Sequence, residues 1–376
     1  MKKLFKNSWK ALLMAVFLVG CSSSSDSDGG DEATDQFDRQ AMLTHWADNI
    51  IIPALEDLES DLSSLQAAKD AFVAAPDQAG LDNLRAAWLE AYQTWQYAEM
   101  FNIGRAESIL YNFQMNVYPV NVADIQGNIA SGSYDLSSVN NHDAVGFPAL
   151  DFMLFGTGNS DSEILVQYTT AADAEGYRNY LSDLTNRMLE LTSEVLSDWK
   201  SQYRDSFVSN TGNTATASVN KLTNDYIYYY ERALRANKVG IPAGVFSLDP
   251  LPDRVEAYYN KEVSKALALV ALDAVQDFFN GKSYGTGPVG TGFSAYLDYL
   301  RTLHGGEDIS ALINTQFNAA RTQMETLDNN FASQIATDNS MMTKTYDELQ
   351  KAVVLLKVDM VQAMNITIDY VDADGD

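Results

Sequence analysis

The stretch Leu81-Asp-Asn-Leu84-Arg-Ala-Ala-Trp88-Leu-Glu-Ala-Tyr92-Gln-Thr-Trp95-Gln-Tyr-Ala98 decides the fold class. Leu81, Leu84, Trp88, Tyr92, Trp95 and Ala98 fall three or four apart, which puts them on one face of a helix. The same period returns in Val263, Ala266, Leu267, Val270, Ala274, Val275 and Phe278, and in Tyr346, Leu349, Val353, Leu356, Met360 and Ala363. Stripes of this kind predict long amphipathic helices and an all-α protein. Trp88, Trp95 and the tyrosine-rich 226–230 run read as core rather than as a ligand box.

Working outward, Pro53, Pro119, Pro148, Pro242, Pro250, Pro252 and Pro288 stand where helices should start or stop, because proline cannot donate within a helix. The clearest interior break is residues 209–218, all Ser, Thr, Asn, Gly and Ala. It predicts two helical-bundle domains, 37–212 and 213–376. An aromatic helix ending at Gly104 and Arg105 with Pro119 beyond it parallels the 226–235 stretch followed by Gly240 and Pro242, which predicts an internal duplication.

At the amino end Lys2, Lys3, Lys6 and Lys10 precede an apolar core from Ala11 to Leu18, as in a secretory signal, and that core is too short to span a bilayer. Leu18-Val19-Gly20-Cys21 resembles the lipobox of bacterial lipoproteins, and Cys21 is the only cysteine. The expectation is a signal peptide over 1–20, lipid on Cys21, a flexible tether over 21–36, and an outer-membrane lipoprotein that is periplasmic or surface-exposed. With no second cysteine an internal disulfide is excluded.

The 376 residues carry 25 Lys and Arg against 51 Asp and Glu, a net charge of −26. That charge argues against nucleic acid and anionic membrane surfaces as partners and permits cations. The glycines from Gly285 to Gly290 follow a helix and enclose Pro288, so they form a loop rather than a dinucleotide turn. Gly281-Lys282-Ser283 lacks the upstream glycine of a phosphate loop, and the Asp372-Ala-Asp374-Gly375-Asp376 end lacks the distal carboxylate of a calcium loop. His-Glu-x-x-His is missing from the sequence.

Asn141-His-Asp-Ala-Val-Gly146-Phe-Pro-Ala-Leu-Asp151-Phe-Met-Leu-Phe-Gly156 resembles the signature of the imelysin family, also called peptidase family M75, in which Gly-x-His-x-x-Glu precedes an apolar run and a glycine. Further landmarks agree in order: Trp88 through Trp95, Glu99 and Gly104; Tyr118-Pro119; Lys238-x-Gly240-x-Pro242-x-Gly244; Pro252 with Val255-Glu256-Ala257-Tyr258; and Leu356-Lys357-Val358-Asp359. The resemblance implies two all-helical bundles with a site at the cleft between them, an exported protein linked to iron acquisition, and a peptidase label.

Against that signature Pro148 stands at the histidine and Asp151 at the glutamate, while Gly146 is kept. Proline offers no donor and Asp151 keeps a carboxylate, so the local fold is expected to survive better than the chemistry. The candidate metal ligands are Asp151, His142, Glu99 and His45; Arg105, Lys238 and Glu256 are candidates for the cleft. Glu99 and Arg105 also admit a plain ion pair closing a helix end, and His304, beside Gly305 and Gly306, reads as a helix-end residue. The leading expectation is a non-peptidase binding protein for iron, another divalent metal or an iron-containing ligand. The alternatives are an M75-type metallopeptidase and a lipoprotein with a decayed site that binds an envelope protein partner.

Overall fold

The computed structural model describes residues 35–370. The signal segment, Cys21, most of the tether and the acidic end after Tyr370 lie outside the described residues. Within them the regular elements are helical, and the extended pairing is one isolated bridge between Lys282 and Val289.

The chain enters α1 (Arg39–Trp46) through Asp38, whose carboxylate accepts from the Ala41 N–H and satisfies one of the orphan donors of a helix start. A π turn, Ala47–Ile51, carries it into α2 (Ile52–Ala74), with Pro53 in the first turn as anticipated. Asp77 caps α3 (Gln78–Ala98). Short helices α4 (Arg105–Ser108), α5 (Tyr111–Met115), α6 (Val122–Ser131) and α7 (Gly146–Asp151) follow. Then come α8 (Asp161–Thr169), α9 (Ala174–Asp198) and α10 (Arg204–Ser209). The second half holds α11 (Ser218–Tyr228), α12 (Ser264–Phe279), α13 (Phe293–His304), α14 (Ile309–Glu325), α15 (Phe331–Val354) and the single turn α16 (Val361–Ala363). α11 runs on as a long π-wound segment, Tyr229–Gly240.

The stripe that decided the fold is wholly inside: Leu81, Leu84, Trp88, Tyr92 and Trp95 are 0% exposed, and α3 packs them against α2 and α12. Truncating a buried Phe or Trp to alanine typically costs about 3–5 kcal/mol, so this face alone commits the first half to its architecture. α12 joins the halves, lying on α3 on one side and α14 on the other. Phe278 on it meets Trp46 at 5.1 Å and Phe101 at 5.2 Å between ring centroids. The 209–218 break is a loop closed on itself, with the Asn210 side chain donating to the Thr216 carbonyl at 2.8 Å. From Phe37 onward the chain is one compact unit, inside which the 37–212 and 213–376 bundles and their duplication stand as a proposal about halves.

Candidate functional site

Asp151 is placed by a backbone that only glycine permits. Gly146 has φ +73°, and a Cβ there would lie 2.1 Å from the Met115 carbonyl oxygen, so α7 begins in close contact with the end of α5. Phe147 stacks on Tyr92 at 4.5 Å, and its carbonyl accepts from the Trp88 indole N–H at 3.1 Å. Pro148 takes the first turn of α7, where its missing N–H is no loss. Asp151, 2% exposed, ends the helix. Its Oδ2 accepts from the Tyr259 N–H and its Oδ1 from the Asn260 N–H, both at 2.8 Å. Burial pushes this carboxyl up to about 7, with the two N–H groups opposing and the Glu256 carboxylate adding to the rise.

Behind Asp151 lies a buried polar cluster. Lys238, from the π-wound segment, donates to both oxygens of Glu256 at 2.6 Å, and both side chains are about as buried as any in the core. The Asn116 amide donates to Glu256 at 3.0 Å and to Glu99 at 3.2 Å, held in place by the Tyr92 hydroxyl on its oxygen at 2.6 Å. Gln96 reaches Glu256 at 3.4 Å. Glu99 is pushed up to about 7, first by burial and then by Glu256, against the pull of Lys238, Asn116 and the nearby Trp95 indole, which stays outside hydrogen-bond geometry. Four buried atoms here, Glu99 Oε2, the Trp95 Nε1, Gln96 Oε1 and the Tyr229 hydroxyl, have no hydrogen-bond partner among the described residues. Glu99 and Glu256 thus share the Lys238 ammonium while Asp151 feels Glu256, and burial pushes Glu99 and Asp151 toward neutrality.

Asp151 opens onto a recess of about 170 Å³ walled by Tyr118, Pro119, Pro148, Tyr258 and Tyr259. Its rim is aromatic and its depth is acidic. The Tyr118–Pro119 peptide on that wall is cis.

The structure brings together Asp151, Glu99, Lys238 and Glu256 from the residues singled out in the sequence, and leaves out the other three. His142 stacks on Phe113 at 6.0 Å, its imidazole pKa lowered by burial against the influence of Asp143. The Nε2 of His45 bonds the Gly281 carbonyl at 2.8 Å, and the ring fills the space beside Gly290. Arg105 bonds Glu194 at 2.7 Å on the surface, so the alternative pairing with Glu99 does not form. Among the described residues no three His, Cys, Asp or Glu side chains come together to hold a metal ion. A bare divalent metal does not fit the altered motif either: Pro148 has no donor and both Asp151 oxygens are engaged by main-chain N–H groups. Sequence reasoning missed Asn116, which bridges the two glutamates, and Tyr259, which closes the recess. Tyr118 and Tyr258 lie within the family landmarks, and their place on the recess wall is visible only in the fold.

The peptidase M75 family model, described as imelysin, matches residues 51–359. Iron-regulated protein A of Synechococcus elongatus is 26% identical over 139 residues, 35% of this chain and 38% of that relative's length. An imelysin-like protein from Psychrobacter arcticum superposes with TM-score 0.68 at 19% identity, covering 89% of this chain and 97% of the other. A protein described as an iron-regulated protein A precursor, from Parabacteroides distasonis, gives TM-score 0.69 at 17% identity over 88% and 97%. At those identities the two structures show the all-helical fold.

Proposed function

The chain belongs to the imelysin family, and from that premise we propose a non-peptidase binding protein of the cell envelope, anchored through Cys21, that takes an iron-containing ligand in the recess over Asp151. The observation that carries this reading is the recess itself. Aromatic walls from Tyr118, Tyr258 and Tyr259 lead to the buried Asp151 carboxylate, which feels Glu256 of the Lys238 cluster behind it. Such a site suits a ligand with a flat or apolar body and a positively charged or proton-donating group. The iron link rests on what the related proteins are called.

A metallopeptidase needs a cation with an open coordination position and a base to activate water. Pro148 removes the motif's nitrogen donor and Asp151 is occupied by Tyr259 and Asn260. Hydrolysis would therefore have to be rescued by chelator-sensitive cleavage of casein that is abolished in Asp151→Ala.

The test is calorimetric titration of the chain from Phe37 onward with Fe²⁺, Fe³⁺, Zn²⁺ and (ferrocenylmethyl)ammonium, an iron complex with flat apolar rings and one positive charge, beside Asp151→Ala and Pro148→His. The expected result is binding of the iron complex that Asp151→Ala abolishes. Tight binding of a bare ion to the wild type, lost in Asp151→Ala, would restore direct metal coordination at the motif. Silence in the wild type with binding by Pro148→His would mean that the site has kept its shape and lost its chemistry. The envelope-partner reading would then lead, and exposed Phe113 and Leu248 favour it.

A further inference from the structure

We propose that the crevice where α2, α3, α12 and the 281–285 loop meet is a second small-molecule site, which takes an organic ammonium ion with a one-ring apolar body. The cavity measures about 210 Å³ and shares no residue with the recess over Asp151. Its size lies below the roughly 300–1,000 Å³ of drug-sized pockets, which suits a one-ring ligand better than a nucleotide.

The floor is apolar, formed by Ile50, Met100, Phe101 and Phe278, all buried. Over it stand Tyr97 and Tyr284, edge to face with centroids 5.4 Å apart. The loop is held in place before any ligand arrives: the Tyr284 N–H donates to the Asn49 carbonyl at 2.8 Å, and the Ser283 hydroxyl donates to the Pro288 carbonyl at 2.6 Å. A preformed pocket avoids the entropy of ordering a loop around its ligand.

Two carboxylates on opposite elements give the pocket its polarity. Asp57 on α2 accepts the Tyr284 hydroxyl through Oδ2 at 2.5 Å, and Asp277 on α12 accepts the Lys282 ammonium through Oδ2 at 2.7 Å. Each keeps its Oδ1 without a hydrogen-bond partner among the described residues. Asp61 acts on Tyr284 from beyond Asp57, and Asp273 acts on Tyr97 together with Asp277, with Arg321 opposing. The charges are four aspartates against Lys282 and Arg321, an excess of two negative charges. An ammonium group there meets carboxylate oxygens and ring faces together, while its apolar body covers the floor. A bare metal ion would leave the floor and both rings unused, and among the described residues no three His, Cys, Asp or Glu side chains are placed to hold one.

The full chain is titrated by calorimetry with 2-phenylethylammonium, beside 3-phenylpropionate, which has the same ring and the opposite charge, and beside Mg²⁺. The ammonium ion should bind and the carboxylate should not. Asp57→Asn and Asp277→Asn should each weaken binding about tenfold, the scale of one lost charge-assisted hydrogen bond. Tyr97→Leu should weaken it about threefold, and Asp151→Ala should leave it unchanged. Asp57 is exposed, so its variant is expected to fold, and an unaltered thermal midpoint checks that. Equal binding of the cation and the anion, no binding of the ammonium ion, displacement of it by Mg²⁺, or full affinity in the Asp57→Asn, Asp277→Asn double variant would each overturn the proposal.

Discussion

Glu231 and Lys238 leave the same π-wound segment, yet the buried clusters they enter are balanced in opposite directions. Glu231 meets Arg235 at 3.5 Å, Lys357 at 3.2 Å and the Tyr370 hydroxyl at 2.9 Å, so one carboxylate faces two cations and a phenol. Arg235 continues to the Tyr346 hydroxyl at 2.8 Å and to Gln350, which ties the segment to α15. Lys238 is the cation that acts on both Glu256 and Glu99, Asp151 feels Glu256, and Glu99 Oε2 has no hydrogen-bond partner among the described residues. Both central carboxylates, Glu231 and Glu256, are buried, so charge balance separates their roles. The Glu231 cluster is a clasp that fixes the carboxyl-terminal segment, whereas the Lys238 cluster is short of positive charge and can accept a proton or a ligand's charged group.

The hardest way to strain this comparison is to remove each cation. Lys238→Met leaves Glu256 buried with no counter-charge, and losing one partner of a buried pair typically costs about 3–5 kcal/mol. Arg235→Met leaves Glu231 its bonds to Lys357 and Tyr370, so the expected loss is smaller, about 1–3 kcal/mol. Urea denaturation of the chain from Phe37 onward measures both. Equal losses would mean that the two clusters do not differ in their reserve of charge.

Titration separates them next. Glu99 and Asp151 are both raised to about 7 from ordinary carboxyl values. Their folded-state values exceed the unfolded ones, so the folded protein holds protons that the unfolded chain has released. The stability these two groups contribute is therefore greatest at acid pH and falls as pH rises from the ordinary carboxyl range to about 7, by as much as about 1.4 kcal/mol per pH unit for each, and levels off above it. Glu99→Gln should flatten that fall and leave the protein more stable than wild type at about pH 8. Glu231→Gln deletes the lone carboxylate between two cations and should lower stability at the same pH. Denaturation midpoints across the pH range give both results, and a Glu99→Gln profile parallel to wild type would show that Glu99 is not the titrating group.

What the sequence disclosed follows the reach of its signals. The α3 stripe was readable because a helix repeats its buried face every three or four residues, and Leu81, Leu84, Trp88, Tyr92 and Trp95 are all inside. Gly146 was readable too, since its place in the motif coincides with a positive φ that only glycine takes without strain. Glu99, Lys238 and Glu256 were found as residues but not as a cluster, because their meeting depends on how α3, the π-wound segment and the 255–260 stretch pack. Nothing local marks Asn116, which gains its importance from the two glutamates on either side of it. Residue type misled at His45 and His142: a lone histidine has no period, and a backbone carbonyl and a phenyl ring explain these two. Arg105 follows Glu99 closely in sequence, but Gly104 at φ +62° turns the chain so that Arg105 pairs with α9. The π winding of the 229–240 stretch also left no trace, since widening the turn barely disturbs the apolar pattern.

The finest test of the comparison is two tyrosine hydroxyls. Tyr370 donates to Glu231 Oε2 in the clasp, and Tyr370→Phe should cost about 1 kcal/mol, the usual worth of a hydrogen bond whose acceptor keeps other partners. Tyr229 is 3% exposed beside Glu99 and Glu256, with no partner for its hydroxyl among the described residues. Removing a buried hydroxyl that makes no bond relieves a desolvation cost, so Tyr229→Phe should be neutral or stabilise by up to about 1 kcal/mol. If Tyr229→Phe instead destabilises as much as Tyr370→Phe, that hydroxyl is bonded in solution, and the Lys238 cluster is completed by a buried water or a ligand. If it stabilises, the oxygens around Glu99 stand ready for a group brought by the ligand, as the binding reading requires.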